Sequence, residues 1–347
     1  MKKIIWGAML FFLLAGAGIA SAEEKKGETQ YLIKIATLVP EIGPSRDLVY
    51  EMKKELSERT GGRLNLRVYF GGVMGDEPDI VRKIRLGQLQ GGMSLTLLGL
   101  GQISPEVKVL QLPFLFDNPE EVDYVLNMMR PEFARLFEEK GMYFVDWSEI
   151  GFGYFFSKDP INNFEDIKKV KMVAFTGDPL FNEAEKVAGF GNLIPLQITE
   201  TLTGLQTGLI GGTYVPFMAL IALQWNTHVN YVLNVPFSYS PGGTVVDKNF
   251  FDRLSPADRE VFFDVFRKRE REIGFEVVRK MEREAYDSLL KKGMIEVEKG
   301  KAEIIASEMK KRTRPLYEKF VGEYYPSWLL KEVLDRLEKY RAQKGIK

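Results

Sequence analysis

The sequence predicts an α/β fold of two lobes joined at a hinge, with a helical C-terminal tail. Three observations carry this expectation. Strand and helix patterns alternate twice along the chain, a β-branched run, Thr244-Val-Val246, then returns it to the first unit, and from Pro256 onward the pattern changes to long charged helices. Two α/β units linked by more than one crossing, with a helical tail, is the architecture of a binding protein that closes about a hinge.

The first unit opens with Tyr31-Leu-Ile-Lys-Ile-Ala-Thr37, whose alternation and β-branched content read as a strand, broken by Pro40 and Pro44. Residues 47–59 have helical spacing, with Leu48, Met52 and Leu56 on one face, and Gly61-Gly62 stops them. Leu64-Asn-Leu-Arg-Val-Tyr69 is a second strand closed by Gly71-Gly72. A helix over 78–86 ends at Gly87, and residues 92–98 make a buried third strand. Strands and helices in this order argue for parallel pairing. In the second unit, strands are expected over 142–147, 154–157 and 170–175, with helices over 180–187 and 200–207 between and after them. The tail is read as helices over 257–291, 302–321 and 327–341, whose charges interleave at i, i+4 spacing as on solvated faces.

The N-terminus carries a targeting pattern. Lys2 and Lys3 precede an apolar run from Ile4 to Ile19, and Ala20-Ser21-Ala22 offers small residues before Glu23, so residues 1–22 read as a cleaved secretory signal peptide. The run is interrupted by Gly7, Gly16 and Gly18 and falls short of the roughly 20 residues of a membrane span. Cysteine is absent, which excludes disulfides, a cysteine-linked lipid anchor and thiolate metal sites. The chain holds 48 basic and 48 acidic side chains; removing Lys2 and Lys3 leaves 46 basic against 48 acidic, a net charge of −2. A nucleic-acid partner would call for a basic excess.

Catalytic constellations are thin. The single histidine, His228, sits at the apparent start of a strand without a nucleophile elbow in the sequence, and reads as structural. Neither a calcium loop nor a phosphate-cradling glycine pattern is present; Gly71-Gly-Val-Met-Gly75 lacks the lysine of a P-loop. No cofactor, metal or enzymatic activity is expected.

Several segments together resemble the DctP family of TRAP-transporter periplasmic solute-binding proteins: Ile35-Ala-Thr-Leu-Val-Pro40, Glu58-Arg-Thr-Gly-Gly62, Tyr69-Phe-Gly-Gly-Val-Met-Gly75, Leu110-Gln-Leu-Pro-Phe-Leu-Phe116, Asn163-Phe-Glu-Asp-Ile167, Leu205-Gln-Thr-Gly208 and Arg314-Pro-Leu-Tyr-Glu-Lys319. The resemblance implies a two-lobed periplasmic binding-protein fold with a long helix spanning both lobes and a ligand enclosed between them. The boundaries that follow are lobe I over 30–150 plus 241–279, lobe II over 151–240 plus 280–310, and C-terminal helices over 311–347 packing across both.

The same resemblance exposes departures. Where the family places an arginine against the ligand carboxylate, the segment Val170-Lys-Met-Val-Ala174 has Val173; a second arginine position after Gly151-Phe152 is Gly153; and a ligand-binding asparagine is replaced by Val215 in Gly211-Gly-Thr-Tyr-Val-Pro216. Burying a carboxylate without a paired cation costs several kcal/mol. Expected cleft residues are therefore Pro44, Glu77, Ser94, Leu95 and Thr96 from lobe I, and Phe152, Gly153, Tyr154, Val173, Phe175, Ile198, Tyr214, Val215 and Phe217 from lobe II, with Tyr154 and Tyr214 as polar handles. This reading implies a periplasmic receptor for an apolar or amphipathic small molecule, delivering it to TRAP permease subunits in the membrane and leaving room for an additional soluble periplasmic partner. The alternatives are a carrier or chaperone of a lipid-like ligand without transport, and an organic-acid receptor in which Lys171 replaces the lost arginines.

Overall fold

The computed structural model describes residues 29–345 apart from residue 274, so the expected signal peptide lies outside the described residues. Nine strands form one sheet among these residues: β1 (Tyr31–Ala36), β2 (Leu64–Tyr69), β3 (Gly91–Leu95), β4 (Met142–Ser157), β5 (Lys171–Phe175), β6 (Asn192–Leu196), β7 (Gly212–Val215), β8 (Tyr231–Asp247) and β9 (Ile295–Glu296). The order is β2-β1-β3-β8-β4-β7-β5-β6, with β9 paired to β8 off this path. β1 pairs in parallel with β2 and β3, and β5 with β6 and β7. Between these two parallel half-sheets runs the antiparallel pair β4–β8, whose strands of 16 and 17 residues belong to both lobes.

The burial pattern follows from this arrangement. On the lobe I half-sheet, the helix Gly43–Arg59 buries Val49, Met52 and Leu56 at i, i+3, i+7 spacing against Ile33, Ile35, Phe262 and Phe266. Lobe II has its own apolar cluster around Phe156, Val173, Leu205, Trp225 and Leu289. A third cluster spans both halves, uniting Leu100 and Phe133 with Phe155, Phe181 and Phe237, and is covered by Met309, Tyr317, Leu329 and Val333 of the tail helices. The tail is thus part of the core.

Several elements differ from expectation. The segments over 142–147 and 154–157 are one strand, and Thr244-Val-Val246 is the end of another that begins at Tyr231. Gly151, Gly153, Pro236, Pro241 and Gly242 read as breakers in the sequence, yet they sit inside strands; the β4–β8 register shifts between Glu149 and Gly151 and between Gly153 and Phe155. Gly151 has φ +116°, a backbone state that a bulge can use and a side chain resists. Strand β3 stops at Leu95 because Ser94 takes φ +51° and the Thr96 hydroxyl caps a helix, Leu97–Ile103, by accepting from the Leu98 N–H. The expected helix over 302–321 ends at Thr313 and resumes as Leu316–Lys319, whereas the one expected over 257–291 is matched by the helical spans Pro256–Ile273 and Phe275–Lys291. His228 ends a short 3-10 turn rather than beginning a strand.

A buried ion pair ties the halves together beneath the sheet. Lys108 meets Asp178, with 3% and 5% of the two side chains exposed, and Gln111 Nε2 donates to the same carboxylate at 3.0 Å. Removing one member of such a pair strands a charge in apolar surroundings. Replacing Lys108 by Met, which keeps most of the stem, is expected to cost about 3–5 kcal/mol, read from the shift in the urea unfolding midpoint.

Candidate functional site

In open α/β sheets, loops at the carboxyl ends of parallel strands build the ligand crevice. Here the two half-sheets present those ends to one another. After β2 come Gly71-Gly72, and after β6 come Gln197-Ile198-Thr199; a methyl added to Gly72 would lie 3.0 Å from Thr199 Cγ2, so the two edges touch. Asp76 Oδ2 accepts from the Ile198 N–H at 2.7 Å, and Gln102 Nε2 donates to the Gly177 carbonyl at 2.8 Å. The cleft between the lobes is closed. A cavity of about 680 Å³ under the C-terminal helices, lined by Phe114, Tyr317 and Arg341 among others, includes none of the expected site residues.

On the lobe I side, Glu77 begins the helix Glu77–Arg85 and is 1% exposed. Its carboxylate accepts from the Thr96 N–H at 2.9 Å, the Thr96 hydroxyl at 2.8 Å and the Gly99 N–H at 2.7 Å. Those bonds use the carboxylate to hold the Ser94–Thr96 turn in place, rather than leaving it open towards a ligand. Burial pushes its carboxyl up to about 7. Leu95 is fully buried in the core, whereas Ser94 and Thr96 are half-buried; the Ser94 hydroxyl has no hydrogen bond among the described residues. Pro44 lies in the first turn of its helix.

Strand alternation divides the expected lobe II residues between two faces. Tyr154 pairs with Val215 across β4–β7, and both lie on the face with Val173, Phe175, Ile198 and Phe217. Phe155 pairs with Tyr214 on the opposite face, where a side chain at Gly153 would also point, and Phe152 packs against the same apolar cluster. Tyr214 lies across Gly153, where a methyl would land on the ring and hydroxyl of Tyr214. Its hydroxyl contacts the Ser238 carbonyl at 2.9 Å and Oγ at 2.9 Å and accepts from the Ser238 N–H at 3.1 Å. Tyr214 is therefore saturated and buried, whereas the half-buried Tyr154 has a hydroxyl with no hydrogen bond among the described residues. Val173 is fully buried, and Lys171, at the opposite end of β5 from Phe175, is exposed.

Beside Tyr154 lies a polar group that sequence reasoning did not find. Glu282, on the helix Phe275–Lys291, accepts from the Phe217 and Met218 N–H groups at 2.5 and 2.8 Å, and Tyr154 stacks on Phe217 with centroids 4.3 Å apart. One turn earlier, Arg279 is bidentate to Asp123 at 2.7 and 2.9 Å and lies 3.1 Å from Glu149. Burial pushes the carboxyls of both Glu149 and Glu282 up to about 7. The i, i+3 spacing of Arg279 and Glu282 was available in the sequence, but it could not be told from the many charge pairs on solvated helices. Among the described residues, no group of three or more His, Cys, Asp or Glu side chains could hold a metal ion.

Comparison with known proteins extends this picture. A family model for bacterial extracellular solute-binding proteins, family 7 (DctP), matches residues 35–323. A solute-binding protein of Verminephrobacter eiseniae is 30% identical over 215 residues, 60% of this chain and 62% of that protein. The 2,3-diketo-L-gulonate-binding periplasmic protein of Escherichia coli is 28% identical over 203 residues, 58% of this chain and 61% of its own length. The chain thus spans a little under two thirds of the length of these relatives. Among solved structures, a TRAP periplasmic solute-binding protein of Haemophilus influenzae with bound L-gulonate superposes with a TM-score of 0.79 at 24% identity, covering 88% of this chain and 99% of that one. The sugar-acid-binding protein of Advenella mimigardefordensis in complex with galactonate gives 0.80 at 19%, covering 90% and 99%. These likenesses show a common two-lobed fold, and the fold and the family are those of solute-binding proteins rather than enzymes.

Two outcomes are expected from the site geometry. Glu77, Glu149 and Glu282 have carboxyls raised to about 7 from an ordinary value of 4.5, so their contribution to stability is full below about 4.5 and lost as pH rises through 7. The urea midpoint should be higher at pH 5.5 than at pH 8.5, and Glu282→Gln should narrow that difference. Gly153→Ala should lower the melting temperature through its clash with Tyr214, and adding Tyr214→Leu should recover part of the loss; a purely additive double mutant would count against direct coupling of the two positions.

Proposed function

Because the chain belongs to the bacterial extracellular solute-binding proteins of family 7, we propose that it is the periplasmic receptor of a TRAP-type transporter, enclosing an apolar or amphipathic small molecule between its lobes and delivering it to membrane permease subunits. The half-buried lobe II residues Tyr154, Phe175 and Ile198 support this reading most directly. Backed by the buried Val173, Val215 and Phe217, they make a face of apolar surface with one hydroxyl, that of Tyr154, unengaged among the described residues. Burying a ligand carboxylate against that face would leave it without a cation, at a cost of several kcal/mol. An apolar ligand covering a few hundred Å² would instead gain several kcal/mol at about 25 cal/mol per Å². Ser94 and Tyr154 would orient it through their hydroxyls.

The neighbours solved with L-gulonate and galactonate define the rival reading, a sugar-acid receptor. In this chain Lys171 stands at the far end of β5 from the cleft edge, and Gly153 is covered by Tyr214, so neither position supplies a charge there. The lobes are taken as residues 30–150 with 241–279 and residues 151–240 with 280–310, with 311–347 packing across both, and the chain as exported to the periplasm after loss of residues 1–22. Native mass spectrometry of the purified protein, followed by denaturing release of whatever it carries, tests the ligand class. A neutral or amphipathic molecule with a substantial apolar part is expected; a sugar acid or small dicarboxylate in stoichiometric amount would overturn the apolar assignment. Uptake of that molecule only when the receptor and its permease are expressed together separates transport from simple carriage.

A further inference from the structure

Asp76 is 1% exposed, and each of its oxygens is engaged on a different lobe. Oδ1 accepts from the Glu77 N–H at 2.8 Å and so caps the helix Glu77–Arg85 in lobe I. Oδ2 accepts from the Ile198 N–H at 2.7 Å in lobe II. The residue before it, Gly75, has φ +92° and sits against the Asp79 side chain, so the chain is turned sharply at this point. Around the bond the two lobes are in van der Waals contact at Gly72 and Thr199 and in hydrogen-bond contact at Gln102 and Gly177.

We propose that Asp76 is a positioning residue for ligand capture: a latch whose one carboxylate belongs permanently to lobe I and grips the backbone of lobe II only when the cleft is shut. The proposal rests on the two-lobe binding reading above. Its physical basis is a difference between two states. With the lobes apart, Oδ1 still caps its helix, while Oδ2 and the Ile198 N–H each bond to water. On closure both lose that water, and a charge-assisted hydrogen bond forms in its place. Asp79 on the same helix and Glu200 on the opposite lobe are like charges near this carboxylate, so an unbonded Oδ2 in the closed state would be costly. Because the acceptor grips a main-chain amide, the contact is indifferent to the side chain of Ile198 and reports only whether the edge following β6 has come home. A ligand that favours closure and the latch that stabilises it then add in the same direction.

The test exploits the absence of cysteine in the chain. Leu86→Cys and Leu209→Cys place spin labels at positions 62% and 49% exposed, one on each lobe, and pulsed electron paramagnetic resonance reads their separation. The otherwise unaltered double-labelled protein should show a short-distance population corresponding to the closed form. Asp76→Asn keeps one carbonyl oxygen for the Glu77 N–H and presents a donor where an acceptor is needed; Asp76→Ser caps the helix but is too short to reach lobe II. Both should lower the closed-to-open ratio by about tenfold or more while leaving the melting temperature near that of the parent. Asp79→Asn should leave the distances unchanged. Absence of a short-distance population in the parent, or a distribution that neither Asp76 variant alters, overturns the latch. The distance measurement needs no ligand identity. If a sugar acid is recovered from the protein yet the distances shift as expected, the latch stands and the apolar-ligand reading fails.

Discussion

The antiparallel pairing of β4 with β8 is the constraint on which the rest depends. Two strands of 16 and 17 residues run through both half-sheets, so each lobe is completed by strands that also belong to the other. A parallel half-sheet of three short strands has an edge to protect, and here one edge of each half is paired to this central ribbon: β3 to β8 and β7 to β4. The register shifts around Gly151 and Gly153 fall where the strands pass from one lobe to the other. Bulges bend and twist a strand without breaking its pairing, which suits the ribbon that joins the two half-sheets.

The site inherits its chemistry from this ribbon. Alternation along β4 and β7 sends Tyr154 and Val215 to one face, and Phe155 and Tyr214 to the other, so neighbours in sequence become members of different environments. On one face Tyr214 closes over Gly153 and saturates its hydroxyl at Ser238 within the buried core. On the other, the Tyr154 hydroxyl has no hydrogen bond among the described residues and the ring lies beside Phe217, with Glu282 fastening the Phe217–Met218 amides from behind. The acids of this region, Glu77, Glu149 and Glu282, are held by backbone amides, a hydroxyl or Arg279, and their raised carboxyls reflect burial rather than a lack of partners.

Much of the fold was legible. The alternating strands of lobe I, the helix ending at Arg59, the turn glycines and the shift to charged helices after Pro256 each have a local cause, and each was found within a few residues of its place. What escaped was the middle of β4 and β8. Glycine and proline there signal interruption in any short window, and only the partner strand shows that they are bulges and close contacts within a continuous ladder. The two tyrosines of the expected site were indistinguishable in sequence for a similar reason, since both lie in apolar strands and only their pairing partners decide which face each one meets.

The sequence by itself determined the class of architecture, the absence of cysteine, the single histidine and the apolar character of most of the expected cleft residues, because composition and period are properties of the chain alone. Tertiary structure decided which of those residues share a surface, that Glu77 is consumed in holding the Ser94–Thr96 turn, and that Asp76 reaches across to Ile198. A hydrogen bond between residues 122 positions apart has no signature in local pattern. It exists because two half-sheets, each locally specified, are brought face to face by the strands they share.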